Sequence, residues 1–184
     1  AALLLVFFGV VEAQQPKIPR VGFLSALSRA ALSNRIDAFQ EGLRELGYVE
    51  GKNIVVEYRW SEGKPERLPA LAAELVRLNV AAIVTAGPTV TRRVKEATVK
   101  IPIVMALDTD PVGNGFVASL GQPGGNITGL THVTKDLLGK RFELLKEIVP
   151  DAVRVAVLLN PTNPGQALFV GEMESSARSL ALQL

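Results

Sequence analysis

Four loops of the sequence combine residue types that can hold a small ligand with a position directly after an apolar segment. They comprise residues 25–28, 87–89, 108–115 and 160–163. Each apolar segment reads as a buried strand, and in an open α/β sheet ligands bind beyond the carboxyl ends of the strands. Glycines in such loops allow backbone N–H groups to approach a ligand closely. The sequence therefore predicts a binding site at one edge of a sheet.

The second and third of these loops offer groups of opposite charge. Thr89 stands near the start of a predicted helix, where free N–H groups and the helix dipole attract an anion such as a carboxylate. Asp108 and Asp110 could hold a cation such as an ammonium group. Together these groups could bind a zwitterion. The alternative interpretation is structural: Thr89 would be an ordinary turn residue, and Asp110 would cap the next helix.

Residues 113–118 match the dinucleotide fingerprint G-x-G-x-x-A, but their context argues against a nucleotide site. They follow the fourth predicted strand rather than the first, and the carboxylate of Asp110 would repel a pyrophosphate. The alternative interpretation is a tight turn into a short helix.

Catalytic and metal-binding patterns are missing from the sequence. His132 is the only histidine, and no His, Asp and Glu set has metal-ligand spacing. We expect His132 to be a solvated or hinge residue rather than a ligand-orienting one. No nucleophile motif appears. Trp60 ends the second predicted strand, where it either packs or edges a ligand pocket. We therefore predict no catalytic residue, no metal and no cofactor.

The composition narrows the class of protein further. The chain has 184 residues, of which 48% are hydrophobic, so it can build one full domain or one domain and part of another. A net charge of +2, scattered basic residues and 5% aromatic residues give no basis for nucleic-acid binding. The absence of cysteine excludes disulfides, cysteine-ligated zinc and a cysteine nucleophile.

The first residues resemble a secretory signal. An apolar run over residues 1–11 is followed by the Val-Glu-Ala sequence that ends at Ala13, and then by polar residues. The run is about half the length that a membrane-spanning helix needs. We therefore expect residues 1–13 to be a signal peptide that directs export to the periplasm. A buried N-terminal strand or helix is the alternative.

Apolar strands alternate with amphipathic helices from residue 17 onward. The predicted strands are residues 20–25, 53–59, 80–85, 101–107 and 126–130, and the predicted helices are 33–46, 65–78, 88–98 and 112–120. Apolar strands separated by such helices indicate a parallel sheet covered on both faces. Right-handed crossovers make it a doubly wound, Rossmann-like α/β lobe, which we assign to residues 17–131.

A second unit follows this lobe. We assign residues 132–149 to a hinge and a linking helix, which begins at about residue 134, and residues 150–184 to the start of a second α/β lobe. That lobe would contain a strand over 153–159 and a helix from about residue 166. A single strand cannot form a sheet. We therefore expect that the chain is truncated and that the second lobe continues beyond Leu184.

Several blocks, in this order, resemble bacterial ABC-transporter substrate-binding proteins, in particular the group that includes tryptophan- and tyrosine-binding members. The blocks are RVGFLS at 20–25, FQEGLRELGYVE at 39–50, GKNIVVEYRW at 51–60, LPALAAELVRL at 68–78, DPVG at 110–113, PGGNITGL at 123–130 and GKRFELLKEIVP at 139–150. The resemblance covers nearly the whole chain.

The resemblance implies a bilobal, type 1 periplasmic-binding fold in a protein that delivers a solute to the permease subunits of an ABC importer. It places the ligand contacts at Ser25, Gly87, Pro88, Thr89, Asp108, Asp110, Pro111 and Asn160. We expect a monomer that captures a small solute, possibly an amino acid with aromatic ones favoured, and closes at a hinge near residues 130–134. The alternatives are a nucleotide-dependent α/β enzyme that uses the Gly113 segment, and the ligand-sensing domain of a receptor.

Overall fold

A parallel sheet of five strands forms the first lobe in a computed structural model that describes residues 18–132, 137–159 and 164–184. The strands are β1 (Arg20–Ser25), β2 (Val55–Trp60), β3 (Ala82–Ala86), β4 (Ile103–Thr109) and β5 (Ile127–His132). Their order across the sheet is β2-β1-β3-β4-β5, and every neighbouring pair is parallel. The predicted parallel, doubly wound α/β sheet is confirmed.

Helices cover both faces of this sheet. The helices are α1 (Ser33–Glu45), α2 (Leu68–Arg77), α3 (Pro88–Ala97), α4 (Leu138–Ile148) and α5 (Pro164–Ser179). Short 3-10 turns, Ala30–Leu32 and Pro65–Arg67, precede α1 and α2. On one face, Leu75 of α2 and Val94 of α3 pack with Ile83 in a fully buried core. On the other face, Ile36 of α1 packs against Phe23 and Val84.

Close packing between α2 and β1 depends on Gly22. A Cβ atom at this position would lie 2.9 Å from Cδ1 of Leu75, which is fully buried. Since interiors are packed at the density of organic crystals, a larger residue here would push α2 away from the sheet.

The helix predicted over residues 33–46 does begin at Ser33, but Ser33 does not act as its cap. Ser33 itself has helical dihedral angles, and Leu32, which precedes it, makes no side-chain cap. The 3-10 turn runs directly into α1, so capping moves upstream, where Ser28 Oγ accepts the N–H of Ala31 at 3.3 Å. The far end differs from the predicted bound, because α1 ends at Glu45, and Leu46 beyond it is 76% exposed.

The predicted strand over residues 153–159 is wrong. Among the described residues, this segment makes only an isolated bridge between Arg154 and Gln183. Its side chains are largely exposed, and Leu158 is 98% exposed. An apolar run becomes a strand only where a neighbouring strand can pair with it, and the described part of the chain supplies none beside this segment.

Helices α4 and α5 pack against each other in a small separate cluster. Phe142 of α4 and Met173 and Ala177 of α5 form its centre. The start predicted for α4 and the predicted signal peptide fall partly or wholly on residues 133–136 and 1–17, outside the described residues. The predicted boundaries between lobe, hinge and second unit stay predictions. Within the described ranges, no helix is long and apolar enough to span a membrane.

Candidate functional site

A cavity of about 260 Å³ opens at the carboxyl edge of the sheet. It lies where the strand order reverses between β1 and β3, which is the expected place for a ligand in a doubly wound sheet. Its wall includes the ends of β1, β3, β4 and β5 and part of α1. The lining residues are Ser25, Ala26, Leu27, Leu32, Arg35, Ala86, Gly87, Pro88, Leu107, Asp108, Thr109 and His132.

The loop after β1 is held in place by hydrogen bonds. The buried Ser25 Oγ accepts the N–H of Leu27 at 3.0 Å, which shapes the turn. From the end of β2, Ser61 donates its N–H to Ser25 O at 3.0 Å, and Gly63 donates to Ala26 O at 2.7 Å. The hydroxyl hydrogen of Ser25 is not needed for the bond to Leu27. This side of the cavity is therefore preformed, and it can offer a hydroxyl donor.

The turn from β3 into α3 brings backbone to the cavity wall. Gly87 has φ of +88°, a conformation that glycine adopts without strain, and Pro88 then begins the helix. The Gly87 N–H donates to Leu107 O at 2.8 Å, and Gly87 O accepts the N–H groups of Val90 and Thr91. Proline has no N–H. Thr89 is therefore the residue of this turn whose N–H makes none of these bonds.

Asp108 lies at the end of β4 with only 1% of its surface exposed. One carboxylate oxygen accepts the hydroxyl of Thr91 at 2.7 Å, and the other accepts the N–H of Thr109 at 2.7 Å. Thr85 and Thr91 share a further hydrogen bond of 2.9 Å. Because the Thr91 hydrogen goes to Asp108, Thr85 is the donor in that pair. The chain of bonds ties β3, α3 and β4 together below the cavity.

Burial raises the pKa of Asp108, and the hydrogen bonds from Thr91 and Thr109 oppose that shift, as does the charge of Arg92. A buried carboxylate is costly unless donors surround it. Here both oxygens have one. These donors hold the carboxyl group of Asp108 in a fixed orientation at the cavity wall.

The predicted helix over residues 112–120 is wrong, and a compact turn takes its place. Asp110, with φ of +46°, accepts the N–H of Gly113 on Oδ1 at 2.9 Å. Asn114 Nδ2 donates to Thr109 O at 2.8 Å and to Asp110 O at 3.0 Å. These side-chain bonds compete with the helical ladder, and Gly115 at φ of +68° leaves helical space.

The same turn argues against a phosphate site at the glycines. A Cβ atom at Gly113 would clash with the carboxylate of Asp110, so that carboxylate fills the space beside the glycine. Arg92 holds the turn from outside, through Asn114 Oδ1 at 3.2 Å and through the Phe116 ring, whose centroid is 5.3 Å away.

Four of the eight predicted ligand-contacting residues line the cavity: Ser25, Gly87, Pro88 and Asp108. Thr89, Asp110 and Pro111 lie nearby in the chain but are not in the wall. Asn160 lies outside the described residues. Whether any of the eight contacts a ligand stays a prediction.

Eight of the twelve residues that line the cavity are not among the predicted ligand contacts, and they include Leu27, Arg35 and His132. His132 lines it, and its position at the carboxyl end of β5 is a signal that could have found it. Leu27 belongs to a loop already singled out. Arg35 comes from α1, and no strand-end rule points to it. Trp60 does not line this cavity but packs on Phe23 and Tyr58, with ring centroids 5.6 and 5.7 Å away.

Comparison with known proteins defines the class of protein to which this chain belongs. The family model for ABC transporter substrate binding proteins matches residues 20–184. The chain belongs to this family. This family consists of substrate-binding proteins of ABC transporters rather than enzymes, so the match does not support the dinucleotide alternative. In the described part of the chain, no three His, Cys, Asp or Glu residues cluster as a metal site.

Individual relatives narrow the comparison. The chain is 27% identical to a tyrosine-binding protein of Clostridioides difficile (strain R20291) over 164 residues, which cover 88% of this chain and 46% of the relative. It also resembles the solved structure of a conserved domain protein from Vibrio cholerae, with a TM-score of 0.82 and 30% identity over 91% of this chain and 56% of that one.

A second solved structure is that of an ABC domain in complex with L-Trp from Streptococcus pneumoniae. Its TM-score is 0.77 with 25% identity, again over 91% of this chain and 56% of that one. The chain thus spans about half the length of the relatives it matches.

Proposed function

We propose that this chain forms the first lobe of a solute-binding component of an ABC importer. The observation that carries the proposal is the preformed cavity at the β1/β3 switch point of a lobe that belongs to this family. In this proposal Ser25, Gly87, Pro88 and Asp108 contact the solute. Export to the periplasm, delivery to the permease subunits and a monomeric state belong to the same proposal.

The cavity as described is open to solvent on one side. We propose that the part of the relatives that this chain does not span supplies the opposite wall. A solute that bridges the two walls shifts the population toward a closed form, which the permease recognises. The chain would bend near residues 130–134, a range that includes the cavity-lining His132.

An amino acid is the solute class that we propose, with aromatic amino acids first. The support comes from the relatives, since one is named a tyrosine-binding protein and another was solved in complex with L-Trp. The cavity adds an apolar side from Leu27, Leu32 and Leu107 to the polar groups of Ser25 and Asp108.

Thermal unfolding tests this proposal on the whole natural protein that contains this chain. A ligand present at 100 times its Kd stabilises the folded state by about 2.7 kcal/mol. We expect L-tyrosine or L-tryptophan to raise Tm, and other proteinogenic amino acids to do so less. No increase with any amino acid would reject the proposed solute class.

Two exposed leucines supply a matched pair of variants. Leu27 lines the cavity and is 48% exposed, whereas Leu120 is 63% exposed and lies away from it. We expect Leu27→Asp to reduce the ligand-induced rise in Tm, because it places a carboxylate at the cavity wall. Leu120→Asp should leave that rise unchanged. If the two variants change the ligand-induced rise in Tm equally, the ligand does not bind at this cavity.

A further inference from the structure

Arg35 supplies a positive charge to the cavity wall, and no residue in the described part of the chain pairs with that charge. It lies in the first turn of α1, its side chain is exposed, and it lines the cavity. Within the described residues, its guanidinium makes no hydrogen bond and no ion pair. Arginine carries five donors in a planar fork that matches the two oxygens of a carboxylate.

Most arginines of the lobe are used differently. Arg20 pairs with Glu57, Arg59 with Glu57 and Glu74, Arg67 with Glu62 and Arg93 with Glu96, and Arg92 holds the turn after β4. These contacts are internal to the protein. Arg35 differs because it faces a cavity and leaves all its donors available.

The position of Arg35 is also locally unfavourable. The positive end of the helix dipole lies at the first turn, so a cation there is destabilising unless an anion accompanies it. Helix α1 has no acidic residue in its first turn and no side-chain cap that would compensate. A local rule that is broken at a cavity wall is expected where a ligand completes the arrangement.

No acidic side chain of the cavity neutralises Arg35. Asp108 is the acidic residue in the wall, and its oxygens accept hydrogen bonds from Thr91 and Thr109. Asp110 uses an oxygen to hold Gly113 and does not line the cavity. The accessible charge on this side of the cavity is therefore positive.

We propose that Arg35 binds the carboxylate of the solute and so restricts binding to solutes that carry one. The inference rests on the proposed function, and it names the chemical class of the solute at the same cavity. A charge-assisted pair of this kind can be bidentate, which fixes the orientation of the solute as well as adding affinity. It also places recognition of the anion at α1 rather than at the start of α3. There Pro88 has no N–H, Gly87 donates its own to Leu107 O, and Thr89 does not line the cavity.

Calorimetric titration of the whole natural protein tests the inference with two probes that differ in one charge. L-Tyrosine carries the carboxylate, and L-tyrosinamide has the same shape without it. L-Tryptophan and its amide form a second pair. We expect wild type to bind the amino acid more tightly than the amide. Arg35→Gln should lower affinity for the amino acid by on the order of 10- to 100-fold and leave affinity for the amide unchanged.

Arg29→Gln is the matched control, because Arg29 is exposed, lies just before the same helix and does not line the cavity. It removes the same charge from the same region, and we expect it to leave both affinities unchanged. Arg35→Lys keeps a positive charge without the fork, and its affinity for the amino acid should fall between wild type and Arg35→Gln. Circular dichroism should show that all three variants are folded, because the Arg35 side chain makes no hydrogen bond or ion pair among the described residues.

The outcomes separate this inference from the proposed function. If wild type binds neither amino acid, the aromatic version of the proposed function fails. If wild type binds an amino acid and Arg35→Gln binds it equally well, the cavity function stands and the role of Arg35 is rejected. The same rejection follows if Arg35→Gln weakens the amide as much as the amino acid, or if Arg29→Gln has the same effect.

Discussion

The two edges of the sheet differ in what they bury. At the carboxyl edge and in the adjacent first turn of α3, the structure buries the polar side chains Ser25, Ser61, Thr85, Thr91 and Asp108. At the amino edge, the buried side chains are apolar, as at Ile54, Val80, Ile103 and Ile127. Among the side chains that the structure describes, in residues 18–132, 137–159 and 169–184, no other polar one is buried.

The difference separates residues that hold the fold from residues that shape the cavity. Apolar burial at the amino edge stabilises the lobe in proportion to the area removed from water. Buried polar groups contribute little net stability and are costly when unpaired. Their concentration at the carboxyl edge therefore shapes the cavity, because they hold the loop after β1 and the carboxyl group of Asp108 in place. Substitutions at the two edges should accordingly change different properties.

The largest effect is expected at the amino edge. Ile103 begins β4 and is fully buried in the main core. Ile103→Ala should lower the free energy of unfolding by about 2–5 kcal/mol, because it removes buried methyl groups and leaves a cavity. Urea unfolding measures this, and affinity for the solute should be unchanged in the folded fraction. A large loss of affinity at unchanged stability would contradict the division between edges.

Thr91→Val should have an intermediate effect on stability and a clear effect on binding. The substitution keeps the shape of the side chain but removes a donor from Asp108 and an acceptor from Thr85. We expect the free energy of unfolding to fall by about 1–3 kcal/mol in urea unfolding, because a buried carboxyl group loses a hydrogen-bond donor. Thr91→Ser keeps the hydroxyl and is the control. If Thr91→Val and Thr91→Ser are equally stable and bind the solute equally well, the hydrogen bonds of the Thr91 hydroxyl do not hold the site.

Asp108→Asn should change how stability depends on pH. Burial raises the pKa of Asp108 in the folded state above its usual 3.8, so folding favours the protonated form. Its contribution to stability is then full below pH 3.8 and is lost as pH rises through the higher folded pKa. Unfolding curves across this range should show wild type losing stability relative to Asp108→Asn as pH rises. The opposite slope, or none, would contradict the burial argument.

The smallest effect is expected at Asp110, which lies after β4 but acts only within its own turn. Asp110→Asn keeps an oxygen for the N–H of Gly113 and tolerates the positive φ, so stability should change by less than about 0.5 kcal/mol. Asp110→Ala loses both advantages and should cost about 0.5–2 kcal/mol, as loss of a cap does. Thermal unfolding of the two variants distinguishes them. Equal stability would mean that the hydrogen bond to Gly113 does not hold the turn.

Sequence patterns predicted the regular part of this molecule and part of the cavity. The five strands, the parallel sheet and the placement of Ser25, Gly87 and Asp108 follow from apolar runs and the strand-end rule. The helix expected over 112–120 failed because Asp110 and Asn114 bond to nearby backbone, a choice that periodicity does not record. The strand expected over 153–159 failed because strand formation depends on a partner.

The residues that sequence reasoning missed became visible only through contacts between elements. Thr91 is an ordinary helix residue until it is seen to meet Asp108, which is distant in sequence. Arg35 belongs to a helix, and it is notable because it lines a cavity wall without a partner among residues 18–132, 137–159 and 164–184. Neither property can be obtained from spacing within a single segment.

The central claim is that the carboxyl edge of this lobe binds a small solute. The most direct test is the isothermal titration of the whole natural protein with L-tyrosine and L-tryptophan, beside the Leu27→Asp and Ile103→Ala variants. We predict saturable binding of at least one amino acid, lost in Leu27→Asp and retained in the folded fraction of Ile103→Ala. No binding by wild type, or full binding by Leu27→Asp, would contradict the claim.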